Sequence, residues 1–237
     1  MYFIKIRNYI SYEVYLKKKI NKNVKYIEMA KLRFLYSPME GGKSAMLLIE
    51  AHNFEKRNIG FLCMKPSIDN RESIDKISSR IGIEKECFTI YPNYNVYRII
   101  SEIIHENKVS ENNLQWILVD ESQFLTPIQV EQLRQIVDDF DINVMCYGLR
   151  TDFQTRLFEG SKRLFELADD IEEMKISCSC GRKAIINARY NENGEIVLNG
   201  EQILIGGEDK YKPLCSKCYV KEIRKNHLMK NEVQQNC

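Results

Sequence analysis

No stretch of the 237 residues is long and apolar enough to span a bilayer, so the sequence offers no membrane-spanning helix. An excess of one charge is also missing. The 35 Lys and Arg stand against 33 Asp and Glu, for a formal net charge of +2. That balance leaves no global basic field to argue for a nucleic-acid partner. There are no internal repeats and no low-complexity segment, which excludes repeat arrays and compositionally biased tracts. The opening run Met1-Tyr-Phe-Ile-Lys-Ile-Arg7 is broken by charge within a few residues and makes a poor secretory signal. The expectation is a cytoplasmic protein. Residues 1 to 30 contain no glycine, no proline and no motif; with Lys17-Lys18-Lys19 they read as an N-terminal extension, a solvated face or tail. The run from Met29 leads straight into the first apolar strand, so Met29 is an alternative start, and the core is then expected to survive deletion of residues 1–28.

What is present is an ordinary globular balance, with 44% hydrophobic and 29% charged residues. The length suits one large domain, or one domain plus a small module. Leu32 to Tyr36 predicts a strand, Ser44 to about Arg57 a helix, and Ile59 to Met64 a second strand, together a βαβ unit. Lys65-Pro66 is expected to end that strand. Residues 72 to 88 give no clear prediction, and Tyr97 to His105 has helical spacing. Gln115 to Val119 predicts a buried strand ending at Asp120-Glu121. Pro127 then suits a helix's first turn, with Ile128, Leu133, Ile136 and Val137 as its apolar stripe. Ile142 to Tyr147 is a further strand. Strand–helix alternation predicts an α/β fold: a P-loop (RecA-like) parallel sheet flanked by helices, over residues 31–170. Beyond that the composition shifts to short strand-like pieces and turn signals such as Asn199-Gly200. Residues 171–220 therefore read as a small C-terminal zinc-binding β module, and 221–237 as a polar tail, helical or frayed.

Three groups of residues carry chemistry. The first is the loop Ser37-Pro-Met-Glu-Gly-Gly-Lys-Ser44. A phosphate-binding loop asks for Gly, four residues, then Gly-Lys-Ser/Thr. Gly42-Lys43-Ser44 matches, and Ser37 stands where the first Gly belongs. Such a loop turns backbone N–H groups, and the positive end of the following helix, toward an anion. By itself the loop is also compatible with an ordinary strand–turn–helix. The second group is Asp120-Glu121. A carboxylate after an apolar strand can hold Mg²⁺, and its neighbour can orient or deprotonate a nucleophile, though acidic strand ends are common. The third is Cys178-Ser-Cys180 with Cys215-Ser-Lys-Cys218. Two local cysteine pairs suit a closed structural zinc site of four thiolates, the alternative being four unliganded thiols. The first pair is one residue shorter than usual, and Gly181 permits the tight turn. His227 lies too far past the second pair to be the first choice of ligand, and His52 and His105 read as surface residues on helices.

In this order the motifs resemble type II thymidine kinases, the cytosolic zinc-containing family, and its bacterial branch at the compact Cys-x-Cys-Gly knuckle. The resemblance runs from about Met29 to Tyr219. It rests on Pro38-Met39 with Gly42-Lys43-Ser44, Asp69-x-Arg71, Ser78-Ser-Arg80-Ile-Gly82 and Val119-Asp-Glu-Ser-Gln-Phe124. It continues in Tyr147-Gly-Leu-Arg-Thr-Asp-Phe153 and in Ile205-Gly-Gly ahead of Tyr211 and the second cysteine pair. The resemblance implies transfer of the γ-phosphoryl of ATP to the 5′-hydroxyl of thymidine. Glu121 would be the catalytic base. Ser37, Pro38, Met39, Glu40, Gly41, Gly42, Lys43 and Ser44, with Arg71, would hold the ATP phosphates. Mg²⁺ would sit on Ser44 and Asp120. Met39, Phe124, Leu149 and Phe153 would line the nucleoside pocket, and Gly206, Gly207 and Tyr211 of the zinc module would close over the base as a lid. Zn²⁺ would be held by Cys178, Cys180, Cys215 and Cys218. The family also implies a homotetramer and feedback inhibition by dTTP; charge and hydropathy lead to the expectation of no membrane or nucleic-acid partner. Two residues depart from it: Ser37, and Glu40, whose charge is expected to face solvent. The alternatives are a P-loop ATPase acting on nucleic acid with a zinc ribbon, and a catalytically inactive binding protein.

Overall fold

In the computed structural model, residues 29–68, 74–106, 114–202 and 210–235 are described. The main body is one sheet of six strands, all parallel. In chain order the elements begin β1 (Leu32–Tyr36), α1 (Lys43–Lys56), β2 (Gly60–Pro66), β3 (Lys76–Ser78), β4 (Glu84–Glu86) and β5 (Phe88–Ile90). They continue α2 (Val96–Glu106), β6 (Leu114–Val119), a 3-10 turn (Ser122–Phe124), α3 (Pro127–Phe140), β7 (Asn143–Gly148), α4 (Glu159–Leu167) and β8 (Asp170–Glu173). The chain ends with β9 (Ile186–Arg189), β10 (Tyr211–Leu214) and α5 (Ser216–Gln235). The spatial order across the sheet is β5-β2-β6-β7-β1-β8.

The two-residue period of the strands divides the core between two faces. Ile117 and Val119 of β6, with Val144 and Cys146 of β7, pack under α2, α3 and α4 against Val96, Ile100, Val130, Leu133, Ile136 and Leu164. The intervening Leu118, Met145 and Tyr147 face α1, where Leu47, Leu48, Ala51 and Phe54 cover them. The apolar runs of β6 and β7 are what a strand buried on both faces requires. Cys178, Ala184, Ala188, Ile196, Leu214 and Cys215 form a separate small core around the antiparallel β9–β10 pair.

Several predictions need correction. The predicted βαβ unit implies parallel pairing of β1 with β2; the two are parallel members of one sheet, yet β6 and β7 lie between them, so the crossover through α1 spans two strands. β2 runs through Pro66, two residues past the predicted end. Proline at the strand's last position removes no interior ladder bond, and the next N–H, of Ser67, donates to Ile90 O at 2.8 Å. β8, which the sequence does not predict, is polar and takes its place from pairing with the edge of β1. On α3, Pro127 does open the helix, capped by reciprocal bonds between Thr126 and Gln129. Ile128, however, is 65% exposed, and Val130 is buried in its stead. Position 128 lies about 140° around the helix from Leu133, off the stripe that Val130, Leu133 and Val137 share.

The β1 edge is fastened by Asp169. Its Oδ2 accepts from Leu32 N–H at 2.8 Å and from the Arg134 guanidinium. Burial alone would raise this carboxyl, but the Leu32 N–H and Arg134 outweigh it and hold the group below its ordinary 3.8. A depressed carboxyl contributes stability that is present above its unfolded-state value and is lost as pH falls through the folded one. Asp169→Asn is therefore expected to lower the unfolding free energy by roughly 1 kcal/mol at neutral pH, a half-exposed pair being screened by solvent. The difference from wild type should fade as pH drops below 4; denaturant titrations at pH 7 and pH 3 check both halves.

Candidate active site

The phosphate-loop sequence leaves β1 at Tyr36 and enters α1 at Lys43. Ser37 is buried, and its N–H donates to Gly148 O at 3.3 Å, keeping the loop beside the end of β7. Its hydroxyl donates to Pro38 O at 2.8 Å. A Cβ built on Gly41 would come within 2.0 Å of Ser37 Oγ, so the serine side chain fills the space that glycine at 41 leaves open. The Met39 N–H donates to Asn187 Oδ1 at 2.7 Å. Glu40 has a left-handed φ of 65° and is exposed, with Oε1 3.6 Å from Arg80 Nη1, so its charge faces away from the loop interior. Gly42, with φ 71°, caps α1, and no side chain caps the helix's first turn. The Lys43 ammonium lies back over the loop, donating to Ser37 Oγ at 3.2 Å and Pro38 O at 3.0 Å. Buried lysine is tolerated only where such acceptors surround it.

The acidic pair sits at the C-terminal end of β6, directly opposite this helix start. Asp120 N–H continues the sheet by donating to Met64 O at 2.9 Å. The Asp120 carboxylate is buried and accepts a hydrogen bond from the Ser44 hydroxyl, which joins the loop to the acidic pair. Its Oδ1 has no hydrogen-bond partner. Burial pushes this carboxyl up, and the neighbouring Glu121 charge adds to the effect, to about 7, while the Ser44 hydroxyl and Lys43 pull the other way. A buried carboxylate with one orphaned oxygen next to a hydroxyl fits an oxygen-seeking divalent cation such as Mg²⁺. Glu121 follows with φ 48°, a left-handed conformation that costs a non-glycine residue roughly 1–3 kcal/mol. Its Oε2 accepts from the Gln123 side-chain amide at 2.5 Å.

The segment after β7 is the meeting point of the site. Leu149 N–H donates to Gln123 Oε1 at 2.9 Å, tying the segment to the acidic turn. Asn187 Nδ2 donates to Thr151 O at 3.0 Å, tying it to β9 and, through the same side chain, to Met39. Phe153 is buried, with the Arg189 guanidinium 3.6 Å above its ring. The Tyr219 hydroxyl donates to Phe153 O at 3.4 Å. Phe124 is half-buried and meets Phe158 edge-on, ring centres 5.6 Å apart. Tyr211 begins β10, paired with Arg189 of β9. Of the residues predicted for the site, Arg71, Gly206 and Gly207 lie outside the described residues, as does the side chain of His227. Asn187 and Arg189 bind the site together, yet nothing in their local sequence marks them. Gln123 lies inside the Asp-Glu motif, and its pairing with Glu121 has no sequence signature.

The four cysteines converge as predicted, with all four Sγ atoms within 4.8 Å of one another. The first knuckle closes through Cys178 N–H to Arg182 O at 2.7 Å and Gly181 N–H to Cys178 O at 2.8 Å, with Gly181 at φ 82°. The second opens α5, where Cys218 N–H points to Cys215 Sγ at 3.5 Å. Zinc–sulfur bonds of about 2.3 Å in a tetrahedron place sulfurs about 3.8 Å apart. Cys180 and Cys215 stand at 3.6 Å. Burial disfavours a thiolate at Cys178, but backbone bonds from Cys180 and Cys215 bring it down to about 6. Cys218 is pushed up to about 12 by the sulfurs of Cys180, Cys215 and Cys178. Four sulfurs so placed become four thiolates together only around a cation, and the set fits structural zinc. Cys215→Ser is expected to cut bound zinc, measured by metal analysis, from about one ion per chain to a small fraction, and to expose the remaining thiols to a disulfide reagent. Unchanged zinc content in that variant is the contrary result.

A parallel α/β sheet with a lysine-bearing phosphate loop after β1 and a carboxylate pair after β6 defines the P-loop nucleotide-binding class. The family model for thymidine kinase matches residues 30–219. The thymidine kinase of Pasteurella multocida is 45% identical over 195 residues, covering 82% of this chain and 99% of that protein. That of Rhodopirellula baltica is 45% identical over 187 residues, covering 79% of this chain and 86% of its own length. The thymidine kinase of Enterobacteria phage T4 is 45% identical over 189 residues, covering 80% and 95%. The chain belongs to the thymidine kinase family. These matches favour the kinase expectation over an ATPase acting on nucleic acid. Among the described residues, no helix is long and apolar enough to cross a membrane.

Proposed function

We propose that the protein transfers the γ-phosphoryl group of ATP to the 5′-hydroxyl of thymidine, giving dTMP. The observation that carries this reading is the junction of Ser44 with Asp120, which sets the phosphate loop against the Asp120–Glu121 pair. Phosphoryl transfer asks the protein for little covalent chemistry and much positioning and charge stabilisation. The loop backbone from Ser37 to Ser44 and the start of α1 receive the donor phosphates. Lys43 turns from its acceptors on Ser37 and Pro38 to the phosphate oxygens and neutralises their charge, with Arg71 assisting. Ser44 and Asp120 would hold Mg²⁺, which would supply positive charge to offset that of the phosphates. Glu121 takes or orients the proton of the attacking 5′-hydroxyl. Met39, Phe124, Leu149 and Phe153 would surround the thymine base, with Gly206, Gly207 and Tyr211 as further nucleoside-binding residues. In this reading residues 171–220 act as a lid whose zinc is structural, and residues 1–30 are an extension outside the kinase domain. A cytoplasmic homotetramer inhibited by dTTP completes the proposal, supported by family membership.

The assay is thymidine-dependent ADP formation with Mg-ATP. Glu121→Ala is expected to lower kcat by about 10²–10⁴-fold while zinc content stays intact. Turnover without thymidine and stimulated by DNA would overturn the reading. Glu40→Gln separates the loop's charge from its backbone. With its carboxylate exposed and turned toward Arg80, ATP KM is expected to move by less than about twofold. A large gain in ATP affinity would place that charge against the phosphates instead.

A further inference from the structure

Gln123 is a buried polar side chain that the proposed reaction leaves without a task. Its amide group makes two bonds to two different parts of the site. Nε2 donates to Glu121 Oε2 at 2.5 Å, and Oε1 accepts from the backbone N–H of Leu149 at 2.9 Å. The orientation of the amide is fixed by its partners. A backbone N–H requires an oxygen, so the NH₂ end must face the carboxylate.

The surroundings hold this bridge in place. The Ser122 hydroxyl donates to Tyr147 O at 2.9 Å, fastening the turn to the end of β7. Gly148 has no room for a side chain, because a Cβ there would lie 2.7 Å from Ser122 Oγ and 2.9 Å from Gln123 Oε1. The two segments therefore touch backbone to side chain across Gly148. Glu121 itself sits in a left-handed backbone conformation, with φ 48°. Such a conformation persists only where the surroundings over-determine it. The Gln123 amide supplies one of those restraints, directly on the carboxylate.

We propose that Gln123 is a positioning residue for Glu121, setting the rotation of its carboxylate relative to the segment that starts at Leu149. This rests on the reading of Glu121 as the base. Its consequence is that the base is held in register with the wall of the nucleoside pocket. A nucleoside seated against Leu149 then meets a carboxylate already aimed at its 5′-hydroxyl. A hydrogen bond that only orients the reacting group acts on rate more than on binding.

Two variants separate the two bonds. Gln123→Met keeps the length of the side chain and removes both. Gln123→Glu keeps an oxygen for Leu149 N–H and replaces the amide donor with a second carboxyl, which disturbs the Glu121 carboxylate by repulsion or by sharing its proton. Both are expected to lower kcat by roughly ten- to a hundredfold, with the KM values for thymidine and ATP within about threefold of wild type. Gln123→Glu, keeping the Leu149 bond, is the variant to rely on if Gln123→Met fails to fold, and zinc content and melting temperature report folding in each. In a Glu121→Gln background, adding Gln123→Met is expected to cost little further, because a residue that acts through the carboxylate has nothing left to position. Wild-type kcat in both Gln123 variants overturns the proposal. So does an equal loss with and without Glu121, or a loss confined to thymidine KM. If Glu121→Gln alone keeps wild-type kcat, the base reading itself falls. An inactive Glu121→Gln beside a fully active Gln123→Met overturns the positioning role alone.

Discussion

Six strands running in one direction bring their C-terminal ends to a single edge of the sheet, and the site depends on that alignment. β1 delivers the phosphate loop there, β6 the acidic pair and β7 the segment from Leu149 to Phe153. Because β7 lies between β6 and β1, its C-terminal end separates the other two and touches both. Ser37 N–H bonds Gly148 O on one side, and the Ser122 hydroxyl bonds Tyr147 O on the other. The α/β arrangement is also why the strand interiors can be so apolar. Both faces are covered at the C-terminal halves of β6 and β7, so neither face has to satisfy water there.

The cysteine module is joined to this edge by side chains rather than by the sheet. Asn187 bonds Met39 of the phosphate loop and Thr151 of the segment after β7 with one amide. Arg189, two residues on and facing the same side of β9, lies over Phe153 and donates to Glu201 O at 2.8 Å. A module with a small core of its own thus contributes two buried polar residues to the wall of the site. A zinc ion held by the four sulfurs would have a structural task with a functional reach. Bound there, it would fix the two knuckles that bracket β9 and β10, and β9 carries the residues that hold the loop and Phe153.

Much of this was legible from residue patterns. Strands 32–36 and 115–119, the helix after Gly42, Pro127 at a helix start and the convergence of four cysteines all follow from local rules of periodicity, capping and spacing. What escaped is set by long-range packing. Nothing in β1, α1 and β2 says that two later strands will insert between them. β8 reads Asp-Ile-Glu-Glu, with no apolar run, and becomes a strand because the edge of β1 offers a ladder. Ile128 has a core residue's chemistry at a position whose angle around α3 faces water. Asn187 and Arg189 are single polar residues in a short strand, and only the fold brings them to the loop and to Phe153. Local motifs such as the cysteine pairs were therefore more legible than the long-range contacts that arrange them.

The contact between Ser37 and Gly41 has a consequence for how this loop can vary. A Cβ at position 41 would strike Ser37 Oγ and Cβ at 2.0 and 2.6 Å, while the next obstacle, Pro38 O, stands at 3.1 Å. The two positions share one small volume, and only one of them can fill it. With serine at 37, a side chain at 41 would have to push Ser37 aside; with glycine at 37, the nearest remaining obstacle is the Pro38 carbonyl at 3.1 Å. Drift in this loop is thus confined to a diagonal path, along which the two positions exchange their bulk.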